Sequence, residues 1–193
     1  MAKTSPDHNK NKDEQQFIEK LISVRRVTKV VKGGKTMRFS ALVVVGDGKG
    51  QVGYGTGKAR EVADAVKKAA TQAKRDLIRI PLREGRTIHH DISCSVGAGH
   101  VVVRSAVAGT GVIAGGAMRA IFEALGVQDI VAKSLGSANF HNVVRATFVA
   151  LRTIASPRGV ASRLGVKLND IIERRDTILG RKTSADAGSV IRA

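Results

Sequence analysis

Between residues 36 and 77 the period of the apolar pattern changes from two to nearly four, and no single element accommodates both. In TMRFSALVVV, Met37, Phe39, Ala41, Val43 and Val45 alternate strictly, which places them on one face of a strand. From Lys58, in KAREVADAVKKAATQAKRDLI, Val62, Val66, Ala69, Ala70, Ala73 and Leu77 recur at helical spacing, with Arg60, Asp64, Lys67, Lys74 and Arg75 on the other side. The join is GDGKGQVGYGTGK, six glycines in thirteen residues. The chain has to combine strands and helices, with glycines at the turns.

Elements on either side follow from the same signals. VRRVTKVV is a β-branched strand, and GGK offers φ > 0 glycines for a tight hairpin into TMRFSALVVV. QVGYG is a third short strand, and DEQQFIEKLIS, starting near Asp13, predicts a short helix. Residues 1–16 are polar and read as a mobile tail. An N-terminal α-β-β-β-α domain is therefore expected over residues 17–80. RIPLREGRT, with Pro81 and Gly85, ends it as a linker or connecting strand.

Beyond the linker, TIHHDISCSVGAGHVVVRSAV reads as two strands about a glycine turn, GAMRAIFEAL as a helix stopped by Gly126, and DIVAKSL as a further short strand. NFHNVVRATFVALRTIA is a helix with an Asn cap and a stripe of Phe140, Val144, Phe148, Leu151 and Ala155, ended by Pro157. A short docking helix fits within RGVASRLGVKLNDIIERR. The fold class is α+β, with a second domain of order β-β-β-α-β-α in two layers over residues 88–175, and a mobile tail over residues 176–193.

Charge narrows the function. There are 33 Lys plus Arg against 16 Asp plus Glu, and the excess is uneven: residues 17–87 hold 17 cations and 6 anions, residues 88–157 hold 5 and 3. A polyanionic partner engaged by the first half is implied. Residues 25–38 carry Arg25, Arg26, Lys29, Lys32, Lys35 and Arg38 with no acid, unlike a merely solvated face. With five Phe and one Tyr, several needed for cores, single-stranded bases have no stacking platform, so phosphates and the shape of a folded, duplex-rich RNA are the expected target.

Enzyme motifs fail on context. Gly48, Gly50 and Gly53 fit G-x-G-x-x-G, but a strand rather than a helix follows; as a kinase glycine loop the stretch has no partner motifs downstream. Gly57-Lys58 has Val52 where a Walker loop needs glycine, and Ala59 where it needs Ser or Thr. What survives is close backbone approach at the glycines, with Gly55-Thr56-Gly57 opening a helix whose N-terminus attracts phosphate. His89, His90, Asp91 and His100 lack metal-site spacing and read as surface or loop residues; the lone Cys94 reads as a small apolar residue. No cofactor, metal or small-molecule substrate is expected. No apolar run reaches the eighteen or so residues of a membrane span and the opening lacks a signal-peptide core, so the expected location is the cytoplasm. A second glycine cluster, AGTGVIAGGAMRAI, looks superficially like the phosphate turn of galactokinase-type kinases, but its interleaved apolar residues suit a protein contact better.

VRRVTKVVKGGKTMRFSALVVVGDGKGQVGYGTGKAREV, then AGTGVIAGGAMRAIFEALGVQDIVAKSLGS and NVVRAT, together closely resemble the bacterial small-subunit ribosomal protein five family, over about residues 17–172. The resemblance implies a non-enzyme with an N-terminal domain similar to the double-stranded-RNA-binding fold. It implies binding to small-subunit (16S) rRNA near the neck and decoding region, contacts with small-subunit proteins four and eight, and a place beside the path by which mRNA enters. Carried onto this chain, the RNA-binding set is Arg25, Arg26, Lys29, Lys32, Gly33, Gly34, Lys35, Arg38, Lys49, Gly53, Gly55, Gly57, Lys58 and Arg60. Gly109, Gly111 and Arg119 look like part of the surface facing protein four, where translational accuracy is affected. Departures are visible: VKGGK and KAREVA replace the loop and helix start of a generic duplex binder, and Phe140 stands where the family often has proline. A free-standing duplex-RNA binder and a small-molecule kinase are the rival classes.

Overall fold

The structure, a computed structural model, describes residues 17–178. Its first sheet has the order β1-β2-β3-β4, all antiparallel, from β1 (Ile18–Val31), β2 (Gly34–Gly46), β3 (Gln51–Ala59) and the short β4 (Ile78–Arg79). Between β3 and β4 runs α1 (Val62–Arg75). The second sheet, order β5-β6-β8-β7, comprises β5 (Ile92–Val96), β6 (Gly99–Ser105), the two-residue β7 (Val112–Ile113) and β8 (Ile130–Ser134); β7 and β8 run parallel, joined through α2 (Gly116–Leu125). Then follow α3 (Phe140–Thr153), α4 (Pro157–Leu164) and α5 (Leu168–Ile178).

The α+β class and the order β-β-β-α-β-α of the second domain are as expected. Three local expectations are corrected. The segment from Ile18 is strand, not helix: IEKLIS extends the β1–β2 hairpin, with Leu21 opposite Val43, while residues 13–16 of the expected helix lie outside the described part. Cross-strand pairing with an already apolar strand outweighs a weak helical pattern without a closed cap. Second, the docking helix is two helices, α4 and α5, divided at Gly165, which takes φ 67°; α4 starts at Pro157, where proline's fixed φ is favourable. Third, α5 continues to Ile178, so residues 176–178 are helical; the other tail residues lie outside the described part.

Packing joins the domains into four layers. Ala41, Val43 and Val45 of β2 face α1 through Ala65, Ala69, Ala70 and Ala73. The opposite face, Leu42, Val44 and Val52, shares one core with α2, α3 and the second sheet, including Phe122, Leu125, Val144 and Val103. Helices α2 and α3 are thus sandwiched between the two sheets, which explains why Ala117, Met118, Ile121, Phe122, Ala124 and Leu125 are all buried on α2. Tyr54 of β3 meets Phe148 of α3 with ring centroids 4.6 Å apart.

Against β3 the α1 layer lies close because the contact there pairs glycines of the strand with alanines of the helix. Gly53, Gly55 and Gly57 project toward the helix, and a Cβ on them would stand 2.3, 2.1 and 2.1 Å from the carbonyl oxygens of Ala73, Ala69 and Ala65. No side chain fits there. Replacing Gly55 with Ala forces α1 outward against backbone rather than a flexible side chain, and is expected to cost about 1–3 kcal/mol in urea unfolding. Gly33→Ala, where nothing lies within 4 Å of the new Cβ, should change stability by no more than about 0.5 kcal/mol.

Candidate nucleic-acid interface

All residues from Arg25 to Arg38 are exposed. The β2–β3 ladder stops at Phe39 opposite Ala59, so from Arg38 outward β1 and β2 pair only with each other. The result is a two-stranded arm reaching roughly 15 Å beyond the sheet, from about 3.4 Å per residue. Directly paired residues share a face: Arg25, Lys29 and Arg38 lie on the side facing α3, Arg26 and Lys35 on the α1 side, and Lys32 in the turn. Cations therefore surround the arm, interspersed with exposed Val27, Val30, Val31 and Met37. At the tip Gly34 takes φ 137°, while Gly33 does not adopt a positive φ.

The arm's base is met by the second domain. The Arg25 guanidinium sits 5.8 Å from the Phe140 ring centroid, within cation–π range. Burial at the start of α3, then the positive charges of Arg25 and Lys58, hold His141 below the usual imidazole range, so it is uncharged near neutrality. Lys58 pairs across to Ser40, which pairs with Arg25, so the two cations share one face of the sheet. Arg60, just past β3, and Lys49, in the β2–β3 loop, are exposed elsewhere on the domain. Phe140 and His141 were not legible as site residues, because only the domain docking brings them to Arg25.

The glycines expected to approach phosphates do something else. Gly53, Gly55 and Gly57 are buried against α1, and β3 runs to Ala59, so Gly55-Thr56-Gly57 does not open a helix; α1 starts at Val62. A phosphate has no access to them. The preceding loop is also occupied: the Gly48 and Gly50 N–H groups donate to the carbonyls of Ala124 and Leu125 at 3.0 Å each, capping α2. Asp47 Oδ1 accepts from the Lys49 and Gln51 N–H groups at 2.7 and 2.8 Å. These donors, which otherwise make an anion nest, are satisfied internally, leaving the Lys49 side chain as the outward charge.

In the second domain Gly109 and Gly111 take φ 91° and 76° and sit on a loop held by Asp129. The Gly109 and Gly111 N–H groups donate to Asp129 Oδ1 at 2.9 and 3.0 Å, and Arg86 donates to Oδ2 at 3.1 Å. The Asp129 side chain is only 3% exposed. The sequence signal that was missed is a lone acid within an apolar run, GVQDIVA. Arg119 is exposed and donates to Glu123 at 3.0 Å, and Glu123 also accepts from Lys20 of β1, tying the domains together. Both glycines and Arg119 thus present on the surface, on separate elements. Asp91 accepts from the Ser105 N–H and hydroxyl, and Ser95 bonds His100 at 2.6 Å. Among the described residues no group of three His, Cys, Asp or Glu is placed to hold a metal ion, and no helix is long and apolar enough to cross a membrane.

The class that the fold and site define is a two-domain α+β protein with a basic two-stranded arm projecting from a packed body. Residues 17–81 match the N-terminal domain and residues 94–164 the C-terminal domain of ribosomal protein S5. The chain is 58% identical over 173 residues to the small ribosomal subunit protein uS5 of Granulibacter bethesdensis, covering 90% of this chain and 91% of that protein. It is 57% identical over 178 residues to that of Gluconacetobacter diazotrophicus, covering 92% and 93%, and 59% identical over 167 residues to that of Hyphomonas neptunium, covering 86% and 84%. The chain belongs to the ribosomal protein uS5 family, whose members are structural and not enzymes.

Hydrogen bonds from Gly111 and then Arg86, with Gly109, hold the Asp129 carboxyl below the usual aspartate value, against the opposing effect of desolvation. Its folded value lies below its unfolded one, so its contribution to stability is complete above about pH 4 and is lost as pH falls through the folded value. Asp129→Asn is therefore expected to be less stable than the parent at pH 7, and the gap in urea midpoint to narrow between pH 4 and pH 2. A gap independent of pH would remove the charge from the account.

Proposed function

We propose that this chain is a structural, rRNA-binding component of the bacterial small ribosomal subunit, acting in the cytoplasm within that particle. Its first domain binds small-subunit (16S) rRNA near the neck and decoding region. Its second domain contacts small-subunit proteins four and eight, beside the path by which mRNA enters, and so contributes to translational accuracy. The observation that carries the reading is the projecting arm: residues 25–38 are all exposed, carry six cations and no acid, and receive no support from a third strand beyond Arg38. A two-stranded ribbon is marginally stable in water, and its like charges repel, so neutralisation by phosphates favours an ordered arm.

Phosphate contact falls to Arg25, Arg26, Lys29, Lys32, Lys35, Arg38, Lys49 and Lys58, with Arg60 at the edge. Gly33 and Gly34 let the arm's tip approach the RNA closely. Gly109 and Gly111, fixed by Asp129, and Arg119, on α2, belong to the protein-facing side, which suits the lower net charge of that half.

Eight phosphate contacts predict that log affinity for small-subunit rRNA falls with log salt with a slope of roughly 6 to 7. Lys29→Gln/Lys32→Gln/Lys35→Gln should reduce that slope by about 3 without lowering thermal stability. Equal affinity for unrelated duplexes would favour a free-standing duplex binder, and a slope near zero would sink the electrostatic account.

A further inference from the structure

A second basic surface lies away from the arm. A cleft of about 550 Å³ opens between β3, the end of α1 and α3, and its lining includes Tyr54, Thr56, Arg75, Asp76, Arg145 and Arg152. Arg145 and Arg152 stand on the exposed side of α3, about 10 Å apart along the axis at 1.5 Å per residue. Arg75 closes the opposite wall as the last residue of α1. None of the three forms an ion pair among the described residues, and Asp76 is the only carboxylate in the lining. Three guanidinium groups converging on a concavity with one acid leave an excess positive charge focused by apolar walls. The floor is fixed by Tyr54 packed on Phe148 at an interplanar angle of 53°, with Ile78 and Val96 beside it.

Continuity with the arm gives the cleft its occupant. Tyr54, Thr56 and Lys58 alternate onto one face of β3, and Lys58 and Arg25 are linked across that face through Ser40. His141, which feels the charges of both, lies one turn before Arg145 on α3. A band of cations therefore leads from the root of the arm through Lys58 to the cleft. The Tyr54 and Thr56 hydroxyls make no hydrogen bond among the described residues, and hydroxyls beside guanidinium groups suit sugar hydroxyls beside phosphates. Packing on Phe148 engages the Tyr54 ring, which disfavours base stacking.

We propose that this cleft binds the sugar–phosphate backbone of an RNA helix, in the same RNA that the arm engages, with Arg75, Arg145 and Arg152 as phosphate ligands. Both domains then grip the RNA, and the grip depends on their fixed docking. The inference rests on the RNA-binding reading of the arm. The cation band running on from the cleft to the arm favours RNA over an acidic protein segment, whose loss is one outcome of the test.

The test uses the full-length chain and small-subunit rRNA. Three cleft contacts added to the eight above raise the full slope to roughly 8 to 10, and Arg145→Gln/Arg152→Gln is expected to lower it by about 2 and to weaken binding roughly 10- to 50-fold at about 0.15 M salt, additively with Lys29→Gln/Lys32→Gln/Lys35→Gln. An unchanged slope for the cleft variant, with a reduced slope for the arm variant, overturns the cleft proposal and leaves the arm reading intact. The cleft proposal is likewise overturned if its variant keeps the rRNA slope but loses a co-assembling protein. If neither variant alters the slope, the arm reading itself falls. Should the arginine variant not fold, Val149→Cys in a Cys94→Ala background, carrying an iron chelate, must cut the rRNA at discrete positions. Cutting no stronger than from Ser93→Cys, on the second sheet, overturns the proposal.

Discussion

Everything about the placement of the basic arm depends on how closely the end of α2 approaches the β2–β3 loop. A glycine at the end of β2 and one at the end of the helix make that approach possible. A Cβ on Gly46 would stand 2.1 Å from the Ala124 carbonyl oxygen, and one on Gly126 would stand 2.0 Å from that of Gly48. Gly126 also ends α2 at φ 89°, a left-handed conformation that side chains resist. Freed of side chains, the loop turns its N–H groups onto carbonyls that a helix C-terminus otherwise leaves to water. A polar connection is thereby made at the edge of an apolar interface, and it fixes the register of one domain on the other in a way that Leu42, Val44 and Phe122 alone, being non-directional, do not.

From that docking the four layers follow. Helices α2 and α3 lose solvent on two sides, so their sequences must be apolar around much of the circumference, as α2 is. On the far side of the first sheet, α1 can be amphipathic and its buried stripe reduced to alanine, because the glycines of β3 bring it nearly to van der Waals contact. The sheet is left firm from Phe39 inward and bare beyond. A strand pair that starts in a packed four-stranded sheet and runs on past one end of it is a lever, aimed by the body and unencumbered by it.

Much of this is legible in the sequence. The switch of period locates β2 and α1, the GGK turn locates the arm, and the acid-free run from Arg25 to Arg38 identifies its chemistry. Spacing alone assigns Met118, Ile121, Phe122 and Leu125 to a core, and all four are buried. What is not legible is tertiary in origin. Alternation shows one buried face of β2, while Leu42 and Val44 are buried as well, since a second domain covers the other side. Glycine composition shows that backbone comes close to something, but composition does not name the partner. Gly53, Gly55 and Gly57 approach a helix of the same domain, and Gly48 and Gly50 a helix of the other; both look like phosphate loops for the same physical reason, the absence of Cβ. The β1 segment from Ile18 reads as helix in isolation because its partner strand, not its own spacing, determines its conformation.

Separating these roles also explains the uneven distribution of charge. The faces that approach other protein backbone are built of glycine and alanine and carry no charge, the charges of α1 falling on its outer side, because a charge buried between layers loses more hydration than it regains from a partner. Cations lie instead where burial ends: on the arm, at Lys49 on the outside of the loop, and along the exposed sides of β3 and α3. Asp129, the one acid deeply buried in the second domain among the described residues, is accepted because two backbone N–H groups and Arg86 satisfy it, and its effect is to shape an outward loop. A chain organised in this way gets its stability from neutral close packing and keeps its surface cations out of that packing, so loss of a surface arginine is expected to cost the fold little.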